Sequence, residues 1–144
     1  MTKTKVLFLC TGNSARSQMA EALLTKHGGN DFEVYSAGLE PAGVNPLTVL
    51  VMEEIGVDTS NHSSKSLAEY LGKVHFGYMI TVCSNADEKC PAVFPGMGKR
   101  LHWPFDDPAA LEGSDEEKLA KFRQVRDQIE KKIKAWLSEV QPGD

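Results

Sequence analysis

The sequence predicts an α/β domain with a small, mostly parallel sheet and helices packed on it. Two observations predict it: four β-rich runs are interspersed with helical patterns, and no internal repeat, linker or low-complexity tract breaks that order. A chain of 144 residues, 41% hydrophobic and 25% charged, suits one compact domain spanning residues 1–144 with an ordinary core.

Each element has its own signal. Lys5–Cys10 reads as a buried strand. Ser14–His27 reads as a helix carrying Met19, Ala20, Leu23 and Leu24, stopped by Gly28 and Gly29. Phe32–Gly38 is the second strand. The next helix has Asn45 as N-cap, Pro46 at its first position and Gly56 just past its end. A shorter helix around Ser66–Leu71 leads into the β-rich run Phe76–Cys83, and Lys99–Trp103 makes the fourth strand. The last helix opens on a Ser114/Glu117 capping box. Leu119, Phe122, Val125, Ile129, Ile133, Trp136 or Leu137, and Val140 then recur at steps of three and four, so one face packs on the sheet. Arg123, Asp127, Lys131 and Lys134 fall on its solvated face.

Charge and cysteine usage exclude several classes. A formal charge of −4 argues against a general nucleic-acid binder, which needs basic surface to displace counterions. Any anion site must be local. No apolar run approaches the ~20 residues that span a bilayer, and Val6–Leu9 is too short for a signal-peptide core, so a cytoplasmic protein is expected. Three cysteines do not make a disulfide framework. Cys83 and Cys90 lack a metal spacing, and His27, His62, His75 and His102 show no paired placement, so no metal centre is expected; His102 and Trp103 read as packing residues.

The chemistry begins where the first strand ends. In open α/β sheets ligands bind beyond the carboxyl ends of the strands, and Cys10 stands there, ahead of a loop that feeds a helix. Gly12 and Asn13 tolerate left-handed backbone, so Thr11, Gly12, Asn13, Ser14 and Ala15 can curl until their N–H groups form an anion-binding nest. The helix adds its positive end. Arg16 offers a planar charged fork for two oxygens of a tetrahedral oxyanion, and Ser17 a hydroxyl that can bond a thiolate. Helix ends and cationic neighbours favour the thiolate, which makes Cys10 a nucleophile.

The stretch CTGNSARSQMAE resembles the phosphate-binding loop of the low-molecular-weight protein tyrosine phosphatases and, more closely, of the thioredoxin-coupled arsenate reductases that share their fold. VYSAG, GVNP, HWPFDDPA and the two later cysteines extend the resemblance over nearly the whole chain. It implies a four-stranded parallel sheet flanked by helices, Cys10 as nucleophile and Arg16 as oxyanion clamp.

Two activities then compete, with a non-catalytic anion or redox sensor as a third class. A phosphatase needs Cys10, Arg16 and an acid, since water can hydrolyse a cysteinyl phosphate. A reductase needs two electrons. Cys83, at the end of the third strand, would attack the sulfur of a Cys10–arsenate adduct, Cys90 would displace Cys10, and thioredoxin would reduce the resulting Cys83–Cys90 disulfide, as the resemblance implies. Phosphate and sulfate would compete with arsenate, no bound cofactor is needed, and a monomer is expected. Were residues 83–90 helical, seven steps of ~1.5 Å would hold the two cysteines too far apart for a disulfide, so the segment Cys83–Pro91 is expected to rearrange on oxidation.

The proton donor comes from WPFDDPAA. In the resembling families the acid directly precedes proline, which selects Asp107 and leaves Asp106 as a turn or capping residue. Phosphatases of this type usually carry an aromatic residue after Asp-Pro, where this chain has Ala109. Some related reductases bind potassium beside the loop. Asn13, Glu21 and Ser36 match that site, but Lys65 stands where those relatives have an acid, so activity independent of potassium is expected.

Overall fold

A computed structural model of the chain describes residues 3–59, 62–70, 73–82 and 97–140. Four strands, β1 (Thr4–Cys10), β2 (Phe32–Gly38), β3 (Phe76–Thr81) and β4 (Met97–His102), form one sheet in the order β2-β1-β3-β4, with every pair parallel. Among the described residues the α-helices are α1 (Arg16–Gly28), α2 (Pro46–Glu53) and α3 (Asp115–Val140). The expected architecture is present.

Strand β1 lies between two neighbours, which explains its unbroken apolar run: Val6, Leu7, Phe8 and Leu9 are all fully buried. Register aligns Val34, Val6 and Tyr78 in one row, and Tyr35, Leu7 and Met79 in the next row on the opposite face. On the first face Trp136 of α3 packs against Phe32 and Tyr78, and Trp103 joins Phe8 to Trp136. On the second, Tyr35 meets Tyr70 and Phe76 edge-on. Burial, reinforced by the charges of Glu21 and Glu69, pushes the Tyr70 hydroxyl up to about 12, so it stays protonated.

Several boundaries differ from expectation for identifiable reasons. Helix α1 begins at Arg16, two residues later than Ser14, because Ser14 and Ala15 belong to the loop and the Ser14 carbonyl is claimed by Asn45 N–H and the Thr48 hydroxyl. The segment after Ser66 is one 3-10 turn, Leu67–Glu69, closed by a Ser66/Glu69 capping box; Leu71 lies outside the described residues. Strand β4 starts at Met97, before the predicted Lys99, because Gly77 and Gly98 let the strands approach: a Cβ on Gly98 would lie 2.6 Å from the Gly77 carbonyl oxygen.

The buried face of α3 is the predicted one, from Phe122 to Leu137. Its polar face is solvated as expected, with Arg123, Asp127, Lys131 and Lys134 all exposed. Arg123 grips Glu54 with two nitrogens, Nε to Oε1 at 2.9 Å and Nη2 to Oε2 at 2.6 Å, while the buried Arg126 reaches Glu54 and the Val51 carbonyl, both at 2.9 Å. Asp127 takes the Arg126 Nε. These bonds, led by those from Arg123, hold the Glu54 carboxyl below its ordinary range and tie α2 to α3. Among the described residues no helix is long and apolar enough to cross a membrane.

Candidate active site

The sheet order places the site. Strand order reverses at β1, whose partners are β2 on one side and β3 on the other, so the carboxyl ends of β1 and β3 open a crevice where Cys10 ends its strand. Cys10 is 4% exposed. Val82, following β3, donates its N–H to the Leu9 carbonyl, so the exits of both strands run side by side.

The loop after Cys10 is shaped by what its carbonyls bond. Cys10 O accepts from Leu39 N–H, Thr11 O from Glu40 N–H, Gly12 O from Ala42 N–H and the Ser64 hydroxyl, and Ser14 O from Asn45 N–H and Thr48. Asn13 O accepts from Gln18 Nε2 and from Ser64. Every described peptide bond is trans, and a trans peptide points the N–H of one residue opposite the C=O of the residue before. Carbonyls drawn outward therefore turn the amides of residues 11–15 toward the other side, as the nest requires.

Asn13 holds the turn. It alone of the loop residues has positive φ, at 49°, which corrects the expectation that Gly12 shares the left-handed conformation. Its buried side chain donates to Ser17 Oγ at 2.8 Å and Ser36 Oγ at 3.0 Å, and accepts from Lys65 N–H at 2.8 Å. Because Ser17 accepts from Asn13, its hydroxyl proton points elsewhere, as a thiolate partner needs. Helix α1 then starts without competitors for an anion: its N-cap, Ala15, makes no side-chain cap bond and its first turn carries no acid, unlike α3 with Asp115, Glu116 and Glu117.

Arg16 reaches across to the loop after β4. Its Nη1 donates to the Phe105 carbonyl at 3.1 Å, and its Nη2 lies 3.7 Å from Asp107 Oδ2. The Arg16 side chain is 13% exposed and that of Asp107 43%. Asp106 turns away, 72% exposed, onto Lys121 at 3.1 Å. The capping role expected of Asp106 belongs to Asp107, whose Oδ1 accepts from Ala109 N–H at the start of the 3-10 turn Pro108–Ala110. Trp103 is the buried packing residue expected, whereas His102 is exposed, with Thr81 Oγ1 2.7 Å from its Nδ1.

The residues matching a potassium site are joined to one another. Ser36 Oγ accepts from Asn13 and donates to Glu21 Oε1 at 2.5 Å, while Asn13 Oδ1 is taken by the Lys65 N–H. The Lys65 ammonium donates to the Ser63 carbonyl at 2.7 Å. These oxygens already have hydrogen-bond donors, and position 65 brings a cation instead of a carboxylate, so the set does not fit a potassium ion. Among the described residues no three His, Cys, Asp or Glu side chains group as metal ligands. Cys83, Cys90 and the expected rearranging segment Cys83–Pro91 lie outside the described residues.

The family model for low-molecular-weight phosphotyrosine protein phosphatases matches residues 5–143. The chain belongs to this family. An arsenate reductase from Halalkalibacterium halodurans is 50% identical over 137 residues, covering 94% of this chain and 96% of the relative. An arsenate reductase solved in its oxidized state superposes with a TM-score of 0.80 at 28% identity, covering 96% of this chain and 99% of that one. A thioredoxin-dependent arsenate reductase from Corynebacterium glutamicum gives 0.71 at 32% identity, over 96% of this chain and 62% of its own.

Within this phosphatase-family site, sequence reasoning missed the residues that shape the loop from behind: Gly38, Gln18, Thr48 and Ser64. Gly38 carried a readable signal, a glycine ending a β-rich run. A Cβ there would lie 2.7 Å from the Thr11 carbonyl oxygen and 2.9 Å from Asn13 N, both backbone atoms of the loop. Gly38→Ala should therefore displace the loop and weaken inorganic phosphate binding by about fivefold or more in titration calorimetry, since overpacking costs roughly 1–3 kcal/mol. Unchanged binding would show that the loop does not need this close approach.

Proposed function

We propose that the protein reduces arsenate to arsenite through a thiol relay. The observation that carries this reading is the 50% identity over nearly the full chain to an arsenate reductase, in a chain that also holds Cys10, Cys83 and Cys90. The loop amides and Arg16 bind arsenate, and the Cys10 thiolate attacks arsenic. An As–O bond breaks, and Asp107 supplies the proton with which that oxygen leaves as water. Ser17 donates to the Cys10 sulfur and favours its anion.

Reduction follows by thiol–disulfide chemistry. The Cys83 thiolate attacks Cys10 Sγ; an S–S bond forms, the S–As bond breaks, and its electron pair leaves on arsenic, taking As(V) to As(III). Cys90 then attacks Cys83 Sγ and releases Cys10 as thiolate. Thioredoxin, on which the Corynebacterium relative depends, reduces the Cys83–Cys90 disulfide and restores the enzyme, which we place in the cytoplasm with no bound cofactor. Phosphate and sulfate compete for the loop. Support for the relay geometry comes from Val82, bonded to Leu9 and one residue before Cys83 in the chain.

A phosphatase would use only Cys10, Arg16 and Asp107, so the later cysteines separate the two activities. Cys83→Ser and Cys90→Ser should each abolish multiple-turnover arsenite release while leaving any hydrolysis of p-nitrophenyl phosphate unchanged. Sustained arsenite release by either variant would refute the relay.

A further inference from the structure

Among the described residues, Ser64 is the one side chain whose hydroxyl spans two successive carbonyls of the oxyanion loop, sharing its single proton between them. Its hydroxyl lies 2.8 Å from Gly12 O and 3.0 Å from Asn13 O, approaching both from the face opposite the nest. It is fifty-two residues from Gly12 in sequence and half-buried, in neither a strand nor a helix. Its segment is nevertheless fixed. Gly38 N–H donates to Lys65 O at 2.7 Å, Gly38 forms a parallel bridge with Ser66, and Gln18 on α1 donates to Ser63 O at 3.0 Å.

From this geometry we infer that Ser64 is a positioning residue for oxyanion binding, holding the Gly12 and Asn13 carbonyls outward so that the Asn13 and Ser14 amides face the anion. The inference rests on reading residues 10–16 as the oxyanion loop. Hydroxyl and amides are linked through rigid trans peptides, so a carbonyl that rotates inward carries the next N–H out of the nest and presents a negative oxygen to the ligand. Asn13 makes this peptide pair the vulnerable one, because its left-handed backbone needs support from bonds on both sides. Gly12 O keeps Ala42 N–H and Asn13 O keeps Gln18 when Ser64 is removed, so the loop loosens without losing its fold.

The test uses the full-length reduced protein and inorganic phosphate. Ser64→Ala should raise the phosphate Kd about fivefold, the scale of one lost hydrogen bond. It should also move the pH midpoint of Cys10 alkylation, mapped by mass spectrometry, upward, because the thiolate loses aligned amides. Ser64→Thr, which keeps the hydroxyl, should restore both. A merely structural role would change Tm alone. A Kd and midpoint unchanged in Ser64→Ala would overturn the inference, whatever the melting temperature does. Absence of phosphate binding by the unmodified protein would overturn it together with the oxyanion-loop reading. Phosphate binding that weakens in Ser64→Ala, in a protein that turns over no arsenate, would support the positioning role and refute only the reductase.

Discussion

Cys10→Ser should lose at least ~10³-fold in arsenate turnover while still binding phosphate within a few-fold of the unmodified protein. The two halves of that result come from different parts of the site. On the proposed reading, binding rests on backbone amides turned inward by bonds to residues 39–48 and Ser64, and on Arg16, none of which involve the sulfur. Chemistry depends on the sulfur twice. A serine hydroxyl is a far weaker nucleophile at neutral pH than a thiol held beside an arginine and a helix N-terminus. An oxygen at position 10 also cannot accept attack by Cys83 to form a disulfide, so no path remains for the electron pair to reach arsenic. Arsenite quantified over many turnovers and phosphate titration calorimetry together check this. Loss of binding alongside activity would mean that the sulfur is structural.

Arg16→Lys should lower kcat/KM by about 10²–10³-fold although charge is conserved. The guanidinium serves two ends of the site at once, since Nη1 donates to the Phe105 carbonyl and Nη2 faces Asp107. A lysine ammonium offers neither a planar fork for two oxyanion oxygens nor a second nitrogen for the acid loop. The lost tether bears on proton delivery as well. Asp107 is half-exposed and anchored otherwise by its cap to Ala109, so with Arg16 gone its carboxyl keeps no bond toward the loop. Both kcat and KM should therefore worsen. Steady-state kinetics at saturating thioredoxin measure this, and a kcat/KM within tenfold of the unmodified enzyme would contradict the fork.

How much of this was legible in the sequence follows from the range of each interaction. Strand β2 has the predicted bounds because its signals are local: β-rich residues between turn-forming stretches, ending at a glycine. Asn45 as N-cap, with Leu47 N–H on its Oδ1, was readable for the same reason. Cys10, Arg16 and the loop between them could be singled out because one short stretch contains them and α/β topology supplies their location. What the sequence concealed is long-range. The start of α1 is decided by Asn45 and Thr48 holding the Ser14 carbonyl, thirty-four residues away in the case of Thr48. Ser64 reaches Gly12 without any periodicity that could reveal the pairing. The Asp-Pro resemblance selects Asp107 over Asp106, but the contacts that separate them, Arg16 at Asp107 and Lys121 at Asp106, are long-range.

The proposed relay would make Cys10 an oxidoreductase centre, and its most direct test is coupled NADPH oxidation by the full-length protein with thioredoxin, thioredoxin reductase and arsenate. Sustained turnover, with one arsenite formed for each NADPH consumed, is the predicted result. NADPH oxidation that stays at the arsenate-free background, in a protein shown to bind phosphate, would contradict it.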